Sequence, residues 1–175
     1  MNTATVYQYR DVKDVKRRLS DYRELDRYID NQVERFENLT SKMYYLGAQE
    51  LTDMPKSPNT VQDRTGLLVA QKEELEKKIG SLIERRTEEK KWIMSVLSNI
   101  GKADEVTVIE CRYIDGADWK TIAKILFGME EDYADKEESY LRRCTKLHGR
   151  ALVSMLTYIR KKAQEAQIAD YRRIG

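Results

Sequence analysis

The sequence has few of the residues that interrupt helices or cross-link a chain. It contains 8 glycines and 2 prolines in 175 residues, so long segments have neither, and such a composition favours helices. The two cysteines, Cys111 and Cys144, form no disulfide framework and no CxxC pair, which indicates reduced thiols in the cytoplasm. No apolar run has the length of a signal peptide or a membrane span, and we expect no membrane partner.

The groups that catalysis requires are also missing. His148 is the only histidine, no nucleophile is spaced to work with it, and there is no glycine-rich phosphate loop. The acids are spread along the predicted helices at spacings that are typical of solvent-exposed ion pairs. We therefore expect a protein that is not an enzyme and that binds neither a cofactor nor a metal ion.

Two long helical patterns occupy the first hundred residues. From Asp11 to Leu46 apolar residues recur in steps of three and four, and a second such seam runs from about Asp63 to Ile100. The intervening segment, Gly47–Thr60, holds both prolines and is predicted to be a loop. We predict an antiparallel, coiled-coil-like hairpin over residues 1–100.

The register of this hairpin follows from pairing the apolar residues of the two seams, such as Phe36 with Leu75 and Val15 with Val96, and in that register the polar interruptions also meet. The opposed polar pairs are Asp26 with Arg86, Tyr22 with Glu89, and Thr40 with Lys72. A buried Asp26–Arg86 pair opposes register slips, because separating it leaves an unpaired charge at a cost of about 3–5 kcal/mol. The alternative is that each seam dimerises with another chain.

A second apolar line runs beside the seam on both helices. Its members are Leu25, Tyr28, Leu39, Leu67, Ile83, Met94 and Leu97. A two-helix hairpin cannot bury both lines, so either another subunit or the C-terminal part of the chain covers the surplus. We favour a homo-oligomer, with a dimer as the simplest case.

The C-terminal part has the pattern of a helix-turn-helix domain, predicted over residues 101–162. After "GKADE" (101–105), the helix "EVTVIECRYI" places Val106, Ile109 and Tyr113 on one face. "DGAD" is a turn in which Asp118 is a natural N-cap for the helix "WKTIAKILF". The inward-facing residues of that supporting helix are Trp119, Ile122, Ala123 and Leu126.

The final predicted helix, Ser139–Lys162, is strongly basic. It carries seven Lys or Arg residues and no Asp or Glu. Its apolar face comprises Leu141, Cys144, Leu147 or His148, Ala151, Leu152, Met155 and Ile159, and its opposite face presents Arg142, Arg143, Lys146 and Arg150. Such cations neutralise phosphates, and Arg pairs with guanine. The alternative is a merely solvated basic face.

"VIECRYIDGADWKTIAKIL" followed by "KLHGRAL" resembles region 4 of bacterial sigma-70 factors and, more closely, phage regulators of the ArpU/RinA type. The resemblance covers about residues 104–158. It implies a DNA-binding transcriptional regulator of phage or prophage genes, often an activator of late or packaging genes, in the nucleoid of a bacterial host. It also places Trp119, Ile122 and Ala123 on the supporting helix and Arg142, Arg143 and Lys146 on the recognition helix.

One departure from that pattern is "MEEDYADKEE" (129–138), an insertion with six acids and one lysine. Acids repel phosphate, so we expect it to point away from DNA. It either extends the recognition helix backwards, contacts a protein partner such as RNA polymerase, or is a solvated loop. The remaining segment, 163–175, is predicted to be a tail that extends the last helix.

These observations give a DNA-binding interpretation with two alternatives. The candidate DNA contacts are Lys120, Ser139, Tyr140, Arg142, Arg143, Lys146, His148 and Arg150. Double-stranded DNA is the expected partner, and RNA polymerase is a second one. The alternatives are a DNA-packaging protein like a terminase small subunit, and a polymerase-binding sigma mimic that does not bind DNA.

Overall fold

A computed structural model of the chain describes residues 9–49 and 61–174, and every regular element in them is helical. The elements are α1 (Val12–Gln49), α2 (Val61–Leu97), α3 (Ala103–Ile109), a π-helical segment (Glu110–Ile114), α4 (Trp119–Phe127) and α5 (Glu137–Ile174). The predicted all-α class is therefore confirmed. Both prolines of the predicted loop lie outside the described residues, and α1 continues to Gln49, slightly past the predicted loop start.

The chain forms two compact units. The core unit comprises Met1–Arg23 and Glu89–Gly175, and the hairpin unit comprises Glu24–Glu88. The sequence predicts a domain boundary at residue 100, whereas the units of the structure meet at Arg23/Glu24 and at Glu88/Glu89. The first turns of α1 and the last turns of α2 therefore belong to the core unit. The fully buried residues that they contribute are Val15, Leu19, Ile93, Val96 and Leu97. The predicted tail is a continuation of α5, and its Ala163 is buried.

A π-helical turn lies between α3 and α4. The Asp115 N–H donates to the Glu110 carbonyl at 3.0 Å, a wider turn than that of an α-helix. The buried residues here are Val108, Ile109, Cys111 and Tyr113. Ile109 and Tyr113 face inward as predicted, whereas Val106 is only half-buried. α-Helical spacing does not foresee the wider turn, although Ile109 before it and Tyr113 within it are buried at that spacing.

The turn and cap before α4 form as the sequence predicts. Gly116 has φ of 71°, a left-handed conformation that suits glycine. The Asp118 carboxylate accepts a hydrogen bond from the Thr121 N–H at 2.7 Å, and this bond holds the pKa of Asp118 below its ordinary value. Within α4, the buried residues are Ile122, Ala123 and Phe127, and the half-buried ones are Trp119 and Leu126.

The segments of α1 and α2 that belong to the core unit are held together by a cation–aromatic cluster. The Arg18 guanidinium lies 3.6 Å from the centre of the Trp92 ring and donates two hydrogen bonds to Glu89, at 2.8 and 3.3 Å. Tyr9 stacks on Trp92 with ring centres 5.7 Å apart. Arg18 therefore binds the Glu89 carboxylate that the sequence register places opposite Tyr22.

Within the hairpin unit, the predicted register is confirmed at its central ion pair. Arg86 Nη1 donates to Asp26 Oδ1 at 2.9 Å, with each side chain 34% exposed. The pair is thus partly solvated rather than buried. At the predicted opposition of Thr40 and Lys72, each side chain contacts Phe36: the Thr40 hydroxyl donates to the Phe36 carbonyl at 2.9 Å, and the Lys72 ammonium lies 5.4 Å from the Phe36 ring centre.

The hairpin unit buries few residues completely. Only Leu25, Ile29 and Gln32 are less than a tenth exposed among its described residues. Other seam residues, including Val33, Phe36, Leu75 and Ile79, are half-buried. A groove of about 580 Å³ runs between α1 and α2, with Arg35, Lys42 and Lys78 among its lining residues. The two helices of this unit therefore leave apolar and cationic surface uncovered.

Candidate nucleic-acid interface

One face of α5 holds the helix against the core unit. Its buried residues are Cys144, His148, Ala151, Leu152, Met155, Leu156, Ile159 and Ala163. They recur in steps of three and four, which places them on one side of a helix. This confirms the predicted apolar face, although Leu141 and Leu147 are only half-buried. The packed face fixes which residues of α5 point to solvent.

The opposite face of α5 is exposed and basic. Seven exposed residues between Ser139 and Val153 form this face, with Thr145 exposed at its edge: they are Ser139, Arg142, Arg143, Lys146, Gly149, Arg150 and Val153. Arg142, Lys146, Gly149 and Val153 follow each other at steps of four, three and four, so they form one strip along the helix. We call these seven residues the basic face. The strip from Arg142 to Val153 is about 16 Å long at 1.5 Å per residue.

The four cations of the basic face differ in the partners they have. Arg142 lies 3.5 Å from the Glu138 carboxylate, and both side chains are largely exposed, so this pair contributes little. The Arg143 guanidinium lies 4.6 Å from the centre of the Phe127 ring, a cation–π contact. Lys146 and Arg150 form no hydrogen bond or ion pair within the described residues. The charge of Lys146 is therefore uncompensated, and that of Arg150 is offset only by the nearby Glu105 carboxylate, without a direct ion pair.

Two exposed lysines on α4 add to the positive charge of the core unit. Lys120 and Lys124 are one helical turn apart on the same face of α4. Lys120 is among the predicted DNA contacts and is exposed, as that role requires. Lys124 was missed in the sequence analysis, although its i, i+4 spacing from Lys120 was the signal that could have found it.

His148 is a core residue, and its place among the predicted DNA contacts is wrong. The side chain is 8% exposed, and its Nε2 lies 3.0 Å from the Tyr113 hydroxyl in a hydrogen bond. Its ring stacks on Tyr113 and meets the edge of Trp119 at 5.3 Å between centres. Burial, with the nearby charges of Lys16 and Arg112, lowers the pKa of His148 to about 4. At neutral pH the ring is uncharged and does not reach a phosphate.

Tyr140 also has a structural position that differs from the predicted one. It is half-buried, and its hydroxyl donates to Asp132 Oδ1 at 2.6 Å. This hydrogen bond, together with burial, raises the pKa of Tyr140 to about 12. Its ring packs against Phe127 and Tyr133, with centres 5.2 and 5.5 Å away. Tyr140 therefore anchors the start of α5 rather than standing on the basic face.

The acidic insertion forms turns over most of its length, and its last two residues, Glu137 and Glu138, extend α5 backwards from the predicted start at Ser139. The helix begins at Glu137, and residues 128–136 are a series of hydrogen-bonded turns and bends. Asp132 pairs with Lys136 at 2.6 Å as well as with Tyr140, so its charge is compensated. Glu130, Glu131 and Asp135 are exposed. This arrangement keeps acidic charge next to the first turn of α5, where it repels phosphate.

A buried carboxylate that the sequence analysis missed attaches α3 to α5. Glu105 is 1% exposed, accepts a hydrogen bond from the Ser154 hydroxyl at 2.7 Å, and pairs with Lys102 at 3.1 Å. Burial raises its pKa, but the bonds from Ser154 and Lys102 outweigh burial, so the pKa is lowered. Arg150 adds a favourable charge nearby. Because Ser154 directly follows Val153, this contact holds α5 at the C-terminal end of the basic face.

The described residues contain no cluster of three or more His, Cys, Asp or Glu side chains suited to a metal ion. In the same part of the chain, no helix is apolar over enough length to cross a bilayer. Comparisons with protein-family models, with curated proteins and with solved structures give no match to this chain. The resemblance to sigma region 4 therefore remains a prediction, and a functional proposal depends on the contacts described above.

Proposed function

We propose that this protein is a sequence-specific DNA-binding transcriptional regulator that contacts double-stranded DNA with the basic face of α5. The observation that carries the proposal is four exposed cations on one side of a helix whose other side is packed in the core unit. Following the sequence resemblance, its targets would be phage or prophage genes, with activation of late or packaging genes as the expected effect.

The chemistry of the basic face suits a duplex. Lys and Arg neutralise phosphates and release condensed counterions, which supplies most of the affinity and makes it salt-dependent. Arg142 and Arg143 have the planar guanidinium that pairs with guanine through two hydrogen bonds. Lys120 and Lys124 are exposed on α4 and offer phosphate contacts that position the protein without reading sequence.

We also propose that the hairpin unit associates with a second copy of the chain. Its fully buried core is small, while Tyr28, Leu67 and Ile83 remain 40%, 60% and 38% exposed. Pairing two hairpins builds a four-helix bundle in which such residues are covered. A dimer would then require two DNA half-sites at a fixed spacing. Sedimentation equilibrium of the wild type and Ile83→Lys tests this, and a monomeric wild type would contradict it.

The DNA-binding proposal is tested by fluorescence anisotropy on short duplexes that tile DNA from the protein's own genome. The variants are Lys146→Ala/Arg150→Ala on the basic face and, as a matched control, Lys77→Ala/Arg85→Ala, two exposed cations of α2. We expect one tile to bind far more tightly than the others. The basic-face variant should weaken that binding and reduce the slope of log affinity against log salt by about 2.

The outcomes separate the candidate functions. Equal binding of all tiles by the wild type, or no binding, contradicts sequence-specific recognition and leads to a test of RNA polymerase binding. Specific binding with a ring-shaped oligomer in sedimentation favours the DNA-packaging alternative. An equal loss in the control variant means that general positive charge, rather than the basic face, accounts for the affinity.

A further inference from the structure

The C-terminal half of the basic face contains a glycine, Gly149, and one apolar residue, Val153. Gly149 is inside α5, where glycine weakens a helix relative to alanine. No packing explains it, because a Cβ at this position would meet nothing within 4 Å. Gly149 therefore leaves the backbone of α5 open to close approach from solvent.

Val153 follows Gly149 by one turn on the same strip and is 52% exposed. Between Ser139 and Val153 it is the apolar member of an otherwise polar or cationic face. Lys146 and Arg150 precede it by seven and three residues, so cations that have no ion pair lie beside it on the helix.

The charge distribution directs a duplex to this part of α5. The first turn carries Glu137 and Glu138, and Glu138 neutralises Arg142 in part. A phosphate is repelled by those acids and attracted by Lys146 and Arg150. The groove of a bound duplex would thus be closest to the helix near Gly149 and Val153.

We infer that Gly149 and Val153 form the point of closest approach to the bases, where Val153 contacts the 5-methyl group of a thymine. That methyl is the apolar group which a base presents in the major groove, and contacts of this kind select thymine. Gly149 removes the side chain that would otherwise separate α5 from the base edges. This inference rests on the proposed function and adds to it the chemistry of the base that is read.

Deoxyuridine substitution tests the inference, because uracil differs from thymine only by that methyl group. Each thymine of the preferred tile is replaced in turn, and affinities are measured for the wild type, Val153→Ala and the control Val69→Ala, an exposed valine of the hairpin unit. We expect one or two positions where the wild type loses about fourfold in affinity, the value of one methyl contact. Val153→Ala should lower the affinity for thymine DNA by a similar factor. On DNA with uracil at that position, Val153→Ala should bind as tightly as the wild type does.

A second pair of variants tests the role of Gly149. Gly149→Leu should weaken binding to the tile on the order of tenfold, comparable to one lost base contact, without lowering helix content or thermal stability. Gly80→Leu, at a helical glycine of α2 that also has open space around it, should leave DNA binding unchanged.

The results distinguish this inference from the function on which it rests. If one tile is preferred but no uracil substitution lowers its affinity, the thymine contact is wrong and DNA binding stands. The same conclusion follows if the affinity losses from uracil and from Val153→Ala simply add. If Gly149→Leu binds as well as the wild type, the closest approach lies elsewhere on the helix. If no tile is preferred, the proposed function fails and this inference fails with it.

Discussion

His148 makes the stability of the core unit depend on pH in a way that only this residue can explain. It is the single histidine of the chain, and burial lowers its pKa from 6.5 to about 4. In the unfolded chain the ring takes up a proton as the pH falls through about 6.5, while in the folded protein it stays neutral. The unfolded state therefore binds more protons, and folding stability is lost as the pH falls below 6.5.

The size of the loss follows from the two pKa values. Between pH 7 and pH 5 the difference in proton binding removes about 2 kcal/mol from the free energy of unfolding. The hydrogen-bonded carboxylates of Glu105, Asp118 and Asp132 contribute little to the change in this interval, because their hydrogen bonds lower their pKa values. These groups contribute stability that is lost only at lower pH.

The measurement is urea unfolding at pH 7, 6 and 5, followed by fluorescence and by circular dichroism. Both tryptophans, Trp92 and Trp119, belong to the core unit, so fluorescence reports on the unit that contains His148. The comparison variant is His148→Gln, whose amide offers a partner to the Tyr113 hydroxyl and does not titrate. Its unfolding free energy should be nearly constant over this range. Equal losses in the wild type and the variant would refute the assignment to His148.

Three further predictions concern stability. A double-mutant cycle of Asp26→Ala and Arg86→Ala, measured by urea unfolding, should give a coupling of about 0.2–1 kcal/mol, because both side chains are a third exposed. A coupling above about 3 kcal/mol would show a buried pair. Gly149→Ala should stabilise the protein by about 0.5–1 kcal/mol in thermal unfolding, since the new methyl meets no atom and alanine favours helix. Gly116→Ala should destabilise it by about 1–2 kcal/mol in the same assay because of the positive φ at Gly116. An unchanged unfolding temperature in either glycine variant would contradict the corresponding estimate.

Features that depend on neighbouring positions along the chain were predictable from the sequence. The N-cap at Asp118, the helix that follows it and the two faces of α5 come from local periodicity and capping chemistry. The Asp26–Arg86 pair was predictable because polar interruptions in two seams have few ways to meet. Thr40 did not follow that logic, since its hydroxyl bonds to a carbonyl of its own helix.

Features that depend on distant residues were missed. Glu105 reads as a solvent-exposed acid in a charged sequence, and its burial requires Ser154 from a different helix. The sequence pattern allows either Leu147 or His148 on the apolar face of α5, because both fit its spacing, and Leu147 is half-buried in the structure. The contact with Tyr113 decides between them, and that contact depends on the π-helical segment that carries Tyr113. No pattern of polar and apolar residues encodes such a pairing.

The two faces of α5 determine which substitutions would measure the proposed DNA contact. Lys146 forms no hydrogen bond or ion pair in the part of the chain that the structure describes, and Arg150 acts on the fold only through its charge near Glu105, so replacing the two should alter the unfolding free energy by only about 0.5 kcal/mol. Arg143 is different, because its stacking on Phe127 ties α5 to the end of α4. A loss of binding in an Arg143 variant therefore combines a lost DNA contact with a less firmly anchored helix. The Lys146/Arg150 pair separates the two effects, and its binding loss is the direct measure of what the basic face contributes.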